Sequence, residues 1–436
     1  MVLMERIQIF KSKKYIQYFN FYTCLLLVFC LPFWSKILPP LIIVWIFTWL
    51  LEGDFKNRFK LKDNISPFLL IIGFYVWHAI GLFYTDNFKS GFFDLEVKML
   101  IIVFPFLFLG VNYLFIKKRL IIFKTFVFGN LFAALMCTSI ATYNVYIHFC
   151  GEGNSNEAFN TFFFYTGLSY FMHPSYFAMY LIFSLVIIEY LFYNKLITNN
   201  LLKAIYFSIA LFFVVFIYFL SSRASIIAFL AISVGLLILY FYKTKKILIK
   251  IISLIILILI GFIMINNPRF TLMVKNDFSK NNIETVKILN TNKESSDAKT
   301  DESSNVRLQI WKSAINISSK NILLGVGTGD IKDALMAEYI KCNNKDAKKN
   351  NLNVHNQFLE TQMGQGIIGF MLLTSLFFIA ILRSYIDKNR LLFLFIIIIG
   401  INFLFESMLN TQAGVIFFSF FFSFLIFTVK KPVKGI

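Results

Sequence analysis

Charge is scarce in this chain. Only 15% of its 436 residues are Asp, Glu, Lys or Arg, while 58% are hydrophobic. A soluble domain of this size needs a mostly polar surface, and so little charge excludes one. Histidine is rarer still, with four residues, and the five cysteines (Cys24, Cys30, Cys137, Cys150, Cys342) form no CxxC pair and share no ligand-like spacing with the histidines. That pattern argues against a structural zinc site or a disulfide framework. Cys150 and Cys342 are the one pair that could meet, if both face outward. Eight prolines in the whole chain leave few of the helix interruptions that transporters use to build midplane sites. No small-residue cleavage site follows the first apolar run, 15–33, so that run reads as a spanning helix and not as a removed leader.

What is abundant is apolar length. Phenylalanine alone contributes 56 residues, and the mean hydropathy is +0.71. A ~30 Å hydrocarbon core takes about 17–25 helical residues to cross. Runs of that order fall at 15–33, 37–51, 65–84, 93–115, 124–148, 174–194, 201–219, 224–242, 247–265, 366–385, 391–408 and 412–429. The expected fold is therefore an all-α polytopic membrane protein of about twelve transmembrane helices, with a large helical loop between the ninth and tenth. The net charge of +19 would suggest nucleic acid in a soluble protein, but here the basic residues cluster between apolar runs, and no nucleic-acid partner is expected. With the N-terminus inside, the short cytoplasmic segments hold 24 Lys and Arg against 4 on the opposite side. That bias puts both termini in the cytoplasm and the loop 266–365 outside. The expected organisation is a bundle over 1–265, the loop over 266–365, and three further spans over 366–436.

The loop has two parts. Residues 276–304 are rich in Asn, Ser, Lys and Asp, and are expected to be flexible. From Asn305 the pattern tightens, with Val306, Ile310, Ala314 and Ile317 at helical spacing beside Trp311, as in an amphipathic helix lying on the membrane surface or on the bundle. Gly325, Gly327 and Gly329 mark a turn able to offer backbone N–H groups to an anion, followed by a short helix at about 330–341. Asn353 is a candidate N-cap that would put His355 in the first turn of the next helix, where the helix dipole favours a neutral imidazole.

Few side chains here are suited to chemistry. Arg223, in the turn SSRAS, reads either as a snorkelling interfacial arginine or as a ligand for phosphate, whose oxygens match the guanidinium fork. Arg307 opens the amphipathic helix, where it is either solvated or part of a site. His355 and His173, the latter in MHPSY, read as structural histidines or as general bases, and His148 as interfacial. Glu406, near a helix end, is a functional candidate by its setting, although pairing with Arg223 or Lys98 would make it structural.

The turn SSRAS, the segment NVRLQIWKSAINISSKNILLGVGTGD and the segment VHNQFLETQMGQGIIGF together resemble the O-antigen ligase/polymerase family, over roughly residues 205–375. The resemblance implies about twelve spans, a periplasmic loop late in the chain, and a place in the bacterial inner membrane. It implies transfer of a glycan from undecaprenyl diphosphate to an acceptor such as lipid A–core, with membrane lipids around the protein and neither cofactor nor metal. Carried over to this chain, the turn arginine is Arg223, the loop-helix arginine Arg307 and the loop histidine His355, all expected to be catalytic. Arg223 and Arg307 would also bind substrate, with Lys98, Glu406 and His173 as further substrate-binding candidates. The segment 276–304 departs from the family pattern. A polymerase that joins lipid-linked repeats, a protein O-oligosaccharyltransferase and a lipid-linked sugar transporter are the alternative readings.

Overall fold

The computed structural model describes residues 2–53, 65–109, 113–152, 155–243, 247–266 and 304–428. The segment 276–303, expected to be flexible, lies outside the described residues. Those described are helical and contain no strand. In chain order the first helices are α1 (Val2–Cys30), α2 (Leu38–Glu52), α3 (Ile65–Ile80), α4 (Phe88–Lys98), α5 (Leu100–Leu109) and α6 (Tyr113–Lys117). Next come α7 (Arg119–Glu152), α8 (Ser155–Phe163), α9 (Pro174–Tyr193), α10 (Asn200–Leu220), α11 (Arg223–Lys243) and α12 (Ile247–Ile265). The last group is α13 (Ser304–Lys320), α14 (Ile331–Lys341), α15 (Lys345–Lys349), α16 (Gln357–Ile386), α17 (Arg390–Phe405) and α18 (Gln412–Thr428).

Each of the twelve expected intervals is occupied by helix. Among the described residues, seven helical stretches are long and apolar enough to cross a membrane: Ser35–Glu52, Ile65–Tyr84, Arg119–Cys150, Pro174–Tyr193, Asn200–Leu220, Arg223–Tyr242 and Gln357–Ile386. The chain is a multi-pass membrane protein. The fourth interval, expected as one helix, is divided among α4, α5 and the start of α6.

The phenylalanine excess goes into the centre of the bundle. In α18, Phe417, Phe418, Phe420, Phe421, Phe422, Phe424 and Phe427 are all buried, and a helix apolar on every side belongs in an interior. Rings from neighbouring helices close on it. Tyr180 stacks on Phe417 at 4.4 Å, Phe126 meets Phe421 edge-on at 4.7 Å, and Phe108 meets Phe420 at 5.1 Å. Lipid is as apolar as these side chains, so dispersion and ring geometry hold such a bundle together; each aromatic pair adds about 0.5–1.5 kcal/mol beyond its area.

The loop helices have a core of their own. Ile310, Ala314 and Ile317 of α13 pack with Leu335 and Tyr339 of α14, Ala347 of α15, Val354, and Met363 of α16. The amphipathic α13 thus lies on α14 and α16. Trp311 donates its indole N–H to the Val354 carbonyl at 3.1 Å, which ties α13 to the strand-like segment that carries His355.

α16 begins nine residues earlier than the tenth interval predicts, and it kinks at Gly366, where φ is +63°. The kink frees carbonyls that a straight helix would use internally. The glycine turn takes them: Val326 N–H donates to Met363 O at 2.9 Å and Gly327 N–H to Gly364 O at 3.0 Å. Gly325 sits so close that a Cβ there would lie 2.5 Å from the Gly364 backbone. The expectation that this turn offers N–H groups to an anion fails here. Gly325, Thr328 and Gly329 donate their N–H groups to Asn321 O, Gly81 O and Thr85 Oγ1. The turn is a clamp between the loop and the bundle. Asp330 strengthens it by accepting the N–H groups of Asp86 and Asn87 at 2.8 and 2.7 Å.

Candidate active site

Three connections converge on one point of the structure. α16 starts at an N-cap, Asn356, whose side chain accepts the Leu359 N–H at 3.0 Å. Asn353, expected to be that cap, instead accepts the His355 N–H at 3.1 Å, forming a local Asn turn before the helix. His355 therefore precedes the helix instead of lying in its first turn, and the dipole argument for a neutral ring does not transfer. Its φ is +49°, a left-handed conformation that few non-glycine residues adopt and that histidine, like asparagine and aspartate, tolerates better than most. That backbone twist turns the imidazole towards Glu406, which terminates α17 in an extended conformation.

Glu406 is 8% exposed, and both its oxygens are engaged. Oε2 lies 3.4 Å from His355 Nδ1, and Oε1 accepts the Ser175 hydroxyl at 3.0 Å. Burial alone raises the pKa of such a carboxyl. The hydrogen bond and charge of His355, with the charges of His173 and Arg307, outweigh burial and hold Glu406 below its ordinary value. Glu406 is thus held ionised, with His355 at one oxygen and the Ser175 hydroxyl at the other. With Nδ1–H donated to the carboxylate, His355 presents Nε2 as its proton-accepting atom.

The other two corners come from α9 and the α10–α11 turn. His173 caps α9, its Nδ1 accepting the Ser175 N–H at 3.4 Å, while Nε2 meets the Tyr165 hydroxyl at 3.3 Å. α10 ends at Ser221, which takes the left-handed conformation with φ +49° so that the chain can reverse into α11 within two residues. Arg223 is half-buried at the start of α11. The residues beside it are fixed, since Ser222 donates to Ser175 Oγ at 3.1 Å and Ser225 to Ser222 Oγ at 3.2 Å.

Residues 208–374 match the O-antigen ligase family. The match opens inside α10, closes inside α16 and spans Arg223, Arg307 and His355. It bears out, over that stretch, the resemblance read from the sequence motifs. Comparison with curated proteins gives no match.

Several residues fall outside the O-antigen ligase match. His173 and Glu406 do, yet the fold brings Glu406 to His355 and joins His173 to Glu406 through Ser175, whose N–H meets His173 and whose hydroxyl meets Glu406. Lys98 does too, and it belongs elsewhere. Only 3% exposed, it pairs with Asp94 one turn earlier in α4 and faces Glu360. Pairing of Glu406 with Lys98 is thereby replaced by pairing with His355. Glu189, at the far end of α9, pairs with Arg390 at 2.8 Å. Cys150 and Cys342 are both free thiols. Sequence reasoning passed over Ser175, Ser222, Ser225 and Tyr165. Their one signal was local: Ser175 stands in MHPSY and the other two serines in SSRAS, the motifs that drew notice for His173 and Arg223.

Proposed function

We propose that this protein is an O-antigen ligase-like glycosyltransferase of the bacterial inner membrane, moving a glycan from undecaprenyl diphosphate to an acceptor sugar of lipid A–core at the periplasmic face. The observation that carries the proposal is the His355–Glu406 pair, with Arg307 beside it and the Arg223 turn bonded to the same carboxylate through Ser175. A base fixed by a buried carboxylate, next to cations, is what displacement of a diphosphate by a sugar hydroxyl requires.

In the proposed reaction the acceptor hydroxyl gives its proton to His355 Nε2. The acceptor oxygen bonds to the anomeric carbon of the donor sugar as the bond from that carbon to the diphosphate oxygen breaks, and the anomeric centre inverts. Glu406 keeps the imidazole in the correct tautomer and stabilises the imidazolium that forms. A general base of this kind is worth about 10²–10⁴ in rate. Arg223 and Arg307 stabilise the charge gathering on the departing undecaprenyl diphosphate. The guanidinium groups supply that charge without a metal, so transfer is expected to persist in EDTA. The lipid tail lies among the apolar helices, and the loop 266–365 stands in the periplasm.

Purified protein in nanodiscs, with lipid-linked glycan and a core acceptor, tests the proposal. Loss of transfer is expected in His355→Ala and Arg223→Ala; wild-type transfer in either sinks the assigned roles. Deletion of the gene separates the acceptors. Bare lipid A–core supports the ligase reading, while core carrying a single repeat means that the same residues serve a polymerase.

A further inference from the structure

Ser175 has an unusual number of duties. Its N–H donates to His173 Nδ1 at 3.4 Å. Its carbonyl lies 3.3 Å from Ser225 Oγ, whose single proton is shared between that carbonyl and Ser222 Oγ at 3.2 Å. Its hydroxyl accepts from Ser222 at 3.1 Å and donates to Glu406 at 3.0 Å. Both side-chain partners are remote in sequence, 47 and 231 residues away, so local helix structure explains neither bond.

Burial of a serine in this bundle does not by itself produce such a network. Ser184, on the same helix, and Ser423 have buried hydroxyls with no hydrogen-bond partner among the described residues. Ser175 is 5% exposed, Ser222 4% and Ser225 0%, so none of the three is there to meet solvent.

The direction of the bonds is dictated at one end. An ionised carboxylate accepts and cannot donate. The Ser175 proton therefore points at Glu406, which leaves the Ser175 oxygen to accept from Ser222, whose oxygen in turn accepts from Ser225. Hydrogen bonds aligned in one direction polarise one another. On the other oxygen of the same carboxylate sits His355. With one donor on each oxygen, the carboxylate cannot rotate without losing both.

We propose that Ser175 is a positioning residue: its hydroxyl locks the Glu406 carboxylate that orients His355 and, through Ser222, ties the Arg223 turn to that carboxylate, so one hydrogen-bond chain sets the spacing between proton acceptor and arginine. The proposal rests on the function proposed above. It assigns to α9, a helix outside the matched domain, the task of registering two parts of that domain against each other. It also explains the company of Ser222 and Ser225 around Arg223. They are the hydroxyls by which the arginine-bearing turn takes its position from Ser175.

The test uses full-length protein in nanodiscs, with kcat and donor KM measured for Ser175→Ala, Ser175→Thr and Ser222→Ala. Ser184→Ala serves as a control, with His355→Ala and Glu406→Gln as checks on the underlying reading. A bond to a charged group is lost in Ser175→Ala, and kcat is expected to fall about tenfold. Donor KM should rise as the Arg223 turn loosens. Ser175→Thr, which keeps the hydroxyl, should recover most of the activity, and Ser184→Ala should match wild type. Adding Ser222→Ala to Ser175→Ala should cost little more than Ser175→Ala alone, because both act through one chain. If Ser175→Ala does not fold, Ser175→Cys, which keeps the volume and weakens the donor, carries the same expectation. Wild-type kcat and donor KM in the Ser175 variants, alongside inactive His355→Ala and Glu406→Gln, overturn the positioning role and leave the function standing. Wild-type activity in His355→Ala and Glu406→Gln removes the function itself, and the relay with it.

Discussion

Replacing Glu406 by glutamine removes a charge while keeping the shape of the side chain. The carboxylate holds His355 Nδ1 at 3.4 Å and the Ser175 hydroxyl at 3.0 Å, and it is 8% exposed. Hydrogen bonds to charged groups contribute about 1.5–3 kcal/mol. The long His355 contact places the effect towards the lower figure in the resting protein, and the bond strengthens when His355 takes a proton and becomes imidazolium. Losing that stabilisation in the transition state lowers kcat by roughly tenfold to 150-fold, at about 1.4 kcal/mol per factor of ten. Donor KM should change little, because the amide leaves both arginines in place. The pH dependence gives an independent reading. His355, His173 and Arg307 overcome the upward effect of burial and hold Glu406 below the ordinary carboxyl range. A lowered folded-state pKa means that Glu406 contributes stability that is fully present above the unfolded value and is lost as pH falls through the folded one. The wild-type pair should thus stay intact through mildly acidic pH. Arg307→Gln removes one of the lowering charges, so its acid loss of stability should start at higher pH than in wild type. Transfer assays in nanodiscs supply the first measurement, and thermal melts from pH 4 to 8 the second. A kcat for the E406Q variant within twofold of wild type would refute the orienting role of the carboxylate.

Other perturbations have distinct signatures. His355→Ala should cost about 10²–10⁴ in kcat with an almost unchanged melting temperature in detergent, because a half-buried general base contributes more to rate than to folding. Arg223→Lys keeps the charge and loses the planar fork, so donor KM should rise several-fold, measured with lipid-linked glycan, and only part of the Arg223→Ala defect should be rescued. Gly366→Ala puts a Cβ 2.1 Å from Leu323 O at a φ of +63°, and should destabilise the protein by at least about 1–3 kcal/mol, read as a lower melting temperature. Asn356→Ala removes the cap of α16 and should lower stability by about 1 kcal/mol, with a further loss of activity if His355 shifts with the helix start.

Much of the bundle was legible in the sequence because a bilayer makes a simple demand of it. Each crossing is a long apolar helix, so run length locates the spans, and helix lies on every interval read that way. α13 was legible for a similar reason: Val306, Ile310, Ala314 and Ile317 recur with the helical period, and three of the four are buried in the loop core. Asn353 was misread as the cap because two asparagines stand three residues apart in NVHN, and only tertiary contact decides which of them begins the helix. The glycine turn was misread because its spacing suggests an anion nest, whereas its N–H groups are taken by the α16 kink some forty residues further on and by Asn321, Gly81 and Thr85.

The functional residues divide along the same line. Arg223, Arg307 and His355 stand in motifs with a recognisable order, and the sequence alone determined them as candidates. Their companions did not announce themselves. Glu406 lies 51 residues beyond His355, and Ser175 lies 231 before Glu406. A hydrogen bond acts over about 3 Å of space whatever the length of chain between its ends, and no local pattern encodes such a pairing. Composition and periodicity determined an all-helical membrane protein with a structured loop; the packing of α9, α11 and α17 against the segment before α16 decided that Glu406 meets His355 and, through Ser175, the turn that carries Arg223.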